Sequence, residues 1–167
     1  MAAGATYEPI ATNTLGSAAS SIVFSSIPAT YTDLRVVFVG TATSATGLRA
    51  QFNSDTANNY SRTSLLGDGG SVYAQRGTSI AFVSLGINDN LSTTVPTLRT
   101  MDIFSYAGST YKTVLTNEST DMNGSGAATV AVQMWRSTSA ITSISLNLST
   151  STIAAGSTAT LYGIKNA

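Results

Sequence analysis

From Ser143 to Ser149 every second residue is apolar: Ile144, Leu146 and Leu148 alternate with Ser143, Ser145, Asn147 and Ser149. A strand sorts such a series onto two faces, because its side chains repeat every two residues, whereas those of a helix repeat every 3.6. The pattern recurs. Leu34, Val36 and Phe38 alternate with Arg35, Val37 and Val39, and Leu48, Ala50 and Phe52 alternate with Arg49 and Gln51. In the first series both faces are apolar, as expected of a strand covered by a second sheet or by another subunit. No window carries apolar residues at helical spacing for three turns, since Thr, Ser and Gly interrupt each candidate. Of the 167 residues, 50 are Ser or Thr and only 10% are charged, against roughly 25% in an ordinary soluble domain. Hydroxyls therefore carry the polarity, and β-branched Thr suits a pleated surface.

The alternation predicts strands near Tyr7–Leu15, Ser21–Ser25, Leu34–Gly40, Leu48–Phe52, Ser79–Leu85, Leu98–Tyr106, Tyr111–Thr116, Thr129–Trp135, Ile141–Leu148 and Ala159–Ile164. Punctuation falls between them. "FNSDTANNYS" and "GDGGS" mark a long loop region from about Asn53 to Thr78, while 86–92, 106–111 and 123–127 read as compact turns. Eight to ten short strands in one chain of this length predict an all-β fold: an antiparallel β-sandwich, jelly-roll-like, with a smaller barrel as the alternative. Residues 1–15 read as an N-terminal arm or first strand and 16–167 as a single sandwich domain, long enough to bury about 70% of its unfolded surface.

Several function classes lose their chemistry. The net charge is zero and the cations are scattered singly from Arg35 to Lys165, so no basic cluster is available for nucleic acid. There is no cysteine and no histidine, which removes thiolate nucleophiles, Ser-His-Asp arrangements and the usual zinc ligands. No basic residue precedes Arg35 and no apolar run is longer than the four residues of Val36–Val39, so neither a signal peptide nor a membrane span is expected. Eight carboxylates remain (Glu8, Asp33, Asp55, Asp68, Asp89, Asp102, Glu118 and Asp121), but a glycosidase needs two of them facing at roughly 5 to 9.5 Å, and most fall in predicted turns. Asp55, Asn58 and Asn59 form an incomplete calcium-ligand set and read as an Asx-rich loop satisfying its own amides. The expectation is a protein that is not an enzyme and has neither cofactor nor metal. Among the aromatics, Trp135 and Tyr162 are expected in the core or a subunit interface, and Tyr60 and Tyr73, inside the long loop, exposed.

"SIPATYTDLRVVF" (26–38), "LRAQFNSDTANNYS" (48–61), "YKTVL" (111–115) and "WRSTSAITSISLNLSTSTIAAGSTATLYGIK" (135–165) resemble a family of small virion proteins and terminal modules of tailed bacteriophages, cyanophages included. The resemblance covers most of the chain in the right order. It implies a particle component made in the host cytoplasm and carried on the virion. The expected role is a capsid decoration (cement) protein that grips the major capsid protein as a homotrimer, with Tyr7, Glu8 and Ile10 as the contact segment. The alternative is a tail fibre or spike module reading host surface glycan through Tyr60, Arg62, Tyr73 and Arg76. A depolymerase is the third class, and it would need the carboxylate pair.

Overall fold

The structure is a computed structural model that describes residues 6–86 and 90–165. Twelve strands are arranged in two antiparallel sheets, and no helix occurs among the described residues. They are β1 (Tyr7–Thr14), β2 (Ser21–Phe24), β3 (Asp33–Gly40), β4 (Leu48–Phe52), β5 (Tyr60–Gly67), β6 (Val72–Ile80), β7 (Val83–Ser84), β8 (Thr97–Phe104), β9 (Lys112–Asp121), β10 (Gly126–Trp135), β11 (Ile144–Leu148) and β12 (Thr158–Ile164). The larger sheet has the order β1-β12-β3-β8-β9-β10-β5-β6, and the smaller has the order β2-β11-β4-β7.

Eight of these strands make a jelly roll. β1 pairs with β12, β2 with β11, β3 with β8 and β4 with β7, the pairing of one long hairpin rolled up so that successive strands alternate between two sheets. The other four strands are two hairpins, β5–β6 and β9–β10, inserted in sequence and added side by side beyond β8. The first inserted hairpin corrects the sequence expectation of a loop over Asn53–Thr78. Its strands carry almost no apolar alternation: β5 buries Tyr60, Ser64 and Leu66 on one face and turns Thr63 and Leu65 outward. A strand whose buried face includes a hydroxyl gives no period-two hydrophobic signal. β9 extends past the expected end at Thr116 for the same reason, since its inward residues are Lys112, Val114, Thr116, Glu118 and Thr120.

The core lies between the jelly-roll halves of the two sheets. Leu34, Val36 and Phe38 of β3, Met101 and Ile103 of β8, and Ala159 and Leu161 of β12 face Leu48, Ala50 and Phe52 of β4 and Ile144 and Leu146 of β11. The series that opened the sequence reading is thus the seam of the smaller sheet, with Ser145 and Asn147 on its wet side. Tyr60 is also core. Its ring is fully buried against Phe52 (6.1 Å) and Trp135 (6.3 Å), which corrects the expected exposure. Its hydroxyl accepts from the Phe52 amide and donates to the Asp55 carbonyl, so a phenol is tolerated inside because both its functions are satisfied.

The turns of the two added hairpins share one device. Asp68 Oδ1 accepts from the amides of Gly70 (2.9 Å) and Ser71 (2.7 Å), and Asp121 Oδ1 accepts from the amide of Gly124 (3.0 Å). Gly69 and Gly124 take φ of 85° and 86°, a region that costs glycine nothing. The "GDGG" stretch is a turn, as its composition predicts.

Candidate functional site: two opposed faces

The larger sheet turns a strip of apolar side chains to solvent. Val39 of β3, Leu98 and Phe104 of β8, Val130 and Val132 of β10, Leu65 of β5 and Val72 of β6 are each between 42% and 74% exposed. Strand register makes them neighbours: Val130 stands opposite Leu65, Val132 opposite Leu115, and Val39 opposite Leu98. In a sheet such opposed pairs touch, so Leu65, Val130, Val132 and Leu115 form one surface across β5, β10 and β9, with the Val39–Leu98 pair beyond Asn117 and Ser119 of β9. Between Thr113 and Ser119 of β9, and along β10 and β5, no outward residue is charged. The Arg35–Asp102 pair (3.5 Å) interrupts the strip on β3 and β8, between Leu98 and Phe104, and Arg76 borders it on β6. Two shallow depressions, of about 400 and 390 Å³, lie along this stretch, one bounded by Leu65, Val72 and Val130 and the other by Thr63, Arg76 and Val132.

The smaller sheet presents the opposite character. Its outward residues are Ser145 and Asn147 of β11, Arg49 and Gln51 of β4 and Ser21 and Val23 of β2, polar except for the exposed Val23, and Asn147 Nδ2 donates to Gln51 Oε1 at 3.2 Å. At its β7 edge the added strands of the larger sheet close over it. Gln133 of β10 donates to the Ser84 carbonyl (2.7 Å) and accepts from the Ser84 amide (2.9 Å), joining the two sheets across the edge. Beside this joint lies a cleft of about 280 Å³ lined by Thr46, Arg49, Arg62, Phe82, Ser84 and Asn90, among others. The Arg49 guanidinium sits 4.1 Å above the Phe82 ring, and burial pulls its pKa down from the usual arginine value.

The residues expected to contact a capsid lie in β1 and its surroundings. Tyr7 is exposed at the border of the large sheet, its ring edge-on to Tyr162 (6.5 Å) and its hydroxyl accepting from Arg35 (3.5 Å). Glu8 accepts from Lys165 at 2.7 Å, and Ile10 packs against the core. All three thus belong to a strand zipped to β12. Residues 1–5 of the expected arm lie outside the described residues.

The four residues of the glycan reading are dispersed by the sheet. Tyr60 is core, Arg62 and Tyr73 point to the inner side of the β5–β6 hairpin, and Arg76 points to the outer side beside Thr63. Arg62 alone enters the cleft on the smaller sheet's side. Its partner there, Arg49, carried no sequence signal, because a lone arginine in an alternating strand reads as a solvated face.

Glu8, Asp33, Asp55 and Asp102, like Asp68 and Asp121 in their turns, serve the scaffold. Asp33 accepts from the Ser105 amide (2.7 Å), Asp102 pairs with Arg35, and Glu8 pairs with Lys165. Asp55 accepts from the amide of Ala57 (2.9 Å), from Asn59 Nδ2 (3.0 Å) and from Trp135 Nε1 (2.7 Å). The 53–61 segment is therefore an Asx turn whose carboxylate is consumed by its own neighbours. Among the described residues no group of three or more acidic side chains is placed to hold a metal ion. Compared with protein-family models, curated proteins and solved structures, the chain matches none of them.

Proposed function

We propose that this protein is a structural, non-catalytic component of a tailed-phage particle: a decoration protein that seats on the major capsid protein and reinforces the shell. The observation that carries this reading is the apolar strip on the outer face of the larger sheet, uncharged along β10 and β5 and between Thr113 and Ser119 of β9. A folded chain with 10% charged residues still leaves Leu65, Val72, Leu98, Val130 and Val132 in contact with water, and apolar surface of this kind marks a docking site. The use of Glu8, Asp33, Asp55, Asp68, Asp102 and Asp121 as scaffold acceptors and ion-pair partners also favours gripping over turnover. Tyr7, on the same side through its contact with Tyr162, extends the docking face toward β1. As a homotrimer the protein would offer three such faces, and linked weak contacts multiply into strong attachment.

The number of copies per particle tests the assignment. Quantitative mass spectrometry of purified virions should find hundreds of copies. A few to a few dozen copies would place the protein on the tail and favour the receptor-binding reading instead. That second reading draws its support from the cleft between Arg49 and Arg62.

A further inference from the structure

The cleft beside the Gln133–Ser84 joint collects two arginines and, among the described residues, provides them with no acid. Arg49 rises from the outer face of β4 and Arg62 comes from the inner face of β5, so one guanidinium belongs to each sheet. None of the described lining residues is Asp or Glu. Within the described residues neither side chain donates a hydrogen bond, and Arg62 Nε is buried with no acceptor. Two like charges brought to one partly desolvated cleft repel each other, and a buried donor left unmet costs free energy. An oxyanion answers both, since guanidinium forks match a carboxylate in a planar, two-bond geometry. The Phe82 ring, 4.1 Å from the Arg49 guanidinium carbon, holds that charge in the cleft by a cation–π contact.

The rest of the lining narrows the ligand. Ser84 and Asn90 supply a hydroxyl and an amide suited to a polyol, and Thr46 and Ser149, hydrogen-bonded to each other at 2.5 Å, add their remaining hydroxyl capacity. At about 280 Å³ the space falls just under the roughly 300–1,000 Å³ of ordinary ligand sites, which is room for a single sugar ring. We infer that this cleft binds one carboxylate-bearing sugar unit, as found in acidic polysaccharides, with Arg49 and Arg62 holding the acid and the hydroxyl-lined wall holding the ring. The Arg49 side of the site lies on the smaller sheet, away from the docking face, whereas Arg62 also borders the depression beside Thr63, Arg76 and Val132, so failure at Arg49 would leave the decoration role untouched.

The test is an NMR titration of the intact, isotope-labelled protein with glucuronic acid, alongside glucose and inorganic phosphate. Saturable shifts confined to residues around Arg49, Arg62 and Ser84 are expected with glucuronic acid, with glucose silent and phosphate at least about tenfold weaker. Arg49→Gln and Arg62→Gln should each weaken glucuronic acid binding about tenfold or more, the loss of a charge-assisted pair. Arg49→Gln serves if Arg62→Gln disturbs folding, and unchanged shell binding by Arg49→Gln, whose side chain belongs to the smaller sheet, separates this site from the docking face. Equal affinity for phosphate would mean an anion site without sugar recognition and would overturn the inference. So would shifts that persist in both variants, or binding that emerges only in Asp89→Asn.

Discussion

Gln133 and Ser84 lock the two sheets together: one side-chain amide meets both the N–H and the C=O of one residue in the shortest strand of the fold. β7 has only two residues, so without this joint the edge of the smaller sheet would end in unmet main-chain groups. The Gln133 amide also donates to Thr116 Oγ1 at 3.0 Å, which ties the joint to β9.

Replacing Gln133 with Leu should therefore cost about 2–4 kcal/mol, because it strands a buried donor and a buried acceptor at once. Chemical denaturation reads this directly. Gln133→Glu should cost at least as much, since it removes the donor and buries a charge. A loss within about 0.5 kcal/mol in both variants would mean that the joint is not holding the edge.

Asp55 should make stability depend on pH at the acid end. Burial pushes this carboxyl up, but the hydrogen bonds from Trp135, Asn59 and Ala57 outweigh it and hold it below the usual carboxylate value. A pKa lowered by folding contributes stability above the unfolded value, near 3.9, that is lost as the pH falls through the folded value. Asp55→Ala is expected to cost about 1–3 kcal/mol at pH 7. The difference from the parent protein should hold down to about pH 5 and shrink below about pH 4. Thermal melts of both proteins across that range check it.

Tyr60 should act at the other end of the scale. Burial raises its phenol from 10.0 to about 12, so folding favours the protonated ring. Stability from this group is full below pH 10, the unfolded value, and drains away as the pH rises toward about 12. Tyr60→Phe, which keeps the ring, should flatten the decline of stability between about pH 10 and 12. An unchanged alkaline slope would contradict the buried placement.

Gly163 lies under the Tyr31 ring, where an added Cβ would come within 2.3–2.5 Å of ring carbons. Gly163→Ala should displace that ring and cost about 1–3 kcal/mol, as overpacking does. Gly163→Ala combined with Tyr31→Ala should cost less than the sum of the two changes, measurable as a coupling in a double-mutant cycle.

The jelly roll was legible where strands bury apolar side chains on one face. The runs at 34–40, 48–52 and 141–148 form β3, β4 and β11 in the expected places, with β11 beginning at Ile144. What escaped the sequence was the part of the larger sheet whose inner face is polar. Ser64, Thr116, Glu118, Thr129 and Gln133 are all buried there, so alternation in hydrophobicity vanishes although alternation in burial persists. Tyr60 was misplaced with it, since "NNY" looks like loop until the strand after it is known. Conversely, the apolar residues of "TVAVQMW" gave β10 its strand signal, yet Val130 and Val132 face outward while Thr129, Ala131 and Gln133 face in. This inversion is what creates the candidate docking face, and only strand register discloses it.

That face can be tested apart from the fold. Leu65 and Val132 are each half exposed, so Leu65→Asp with Val132→Asp should leave the melting temperature within a few degrees of the parent. The decisive measurement is co-sedimentation of purified protein with empty phage shells that lack it. The account predicts saturable binding by the parent protein and binding weakened at least about a hundredfold by the double substitution, roughly 2.7 kcal/mol. Parent protein that stays in the supernatant, or a double variant that pellets equally well, would contradict it.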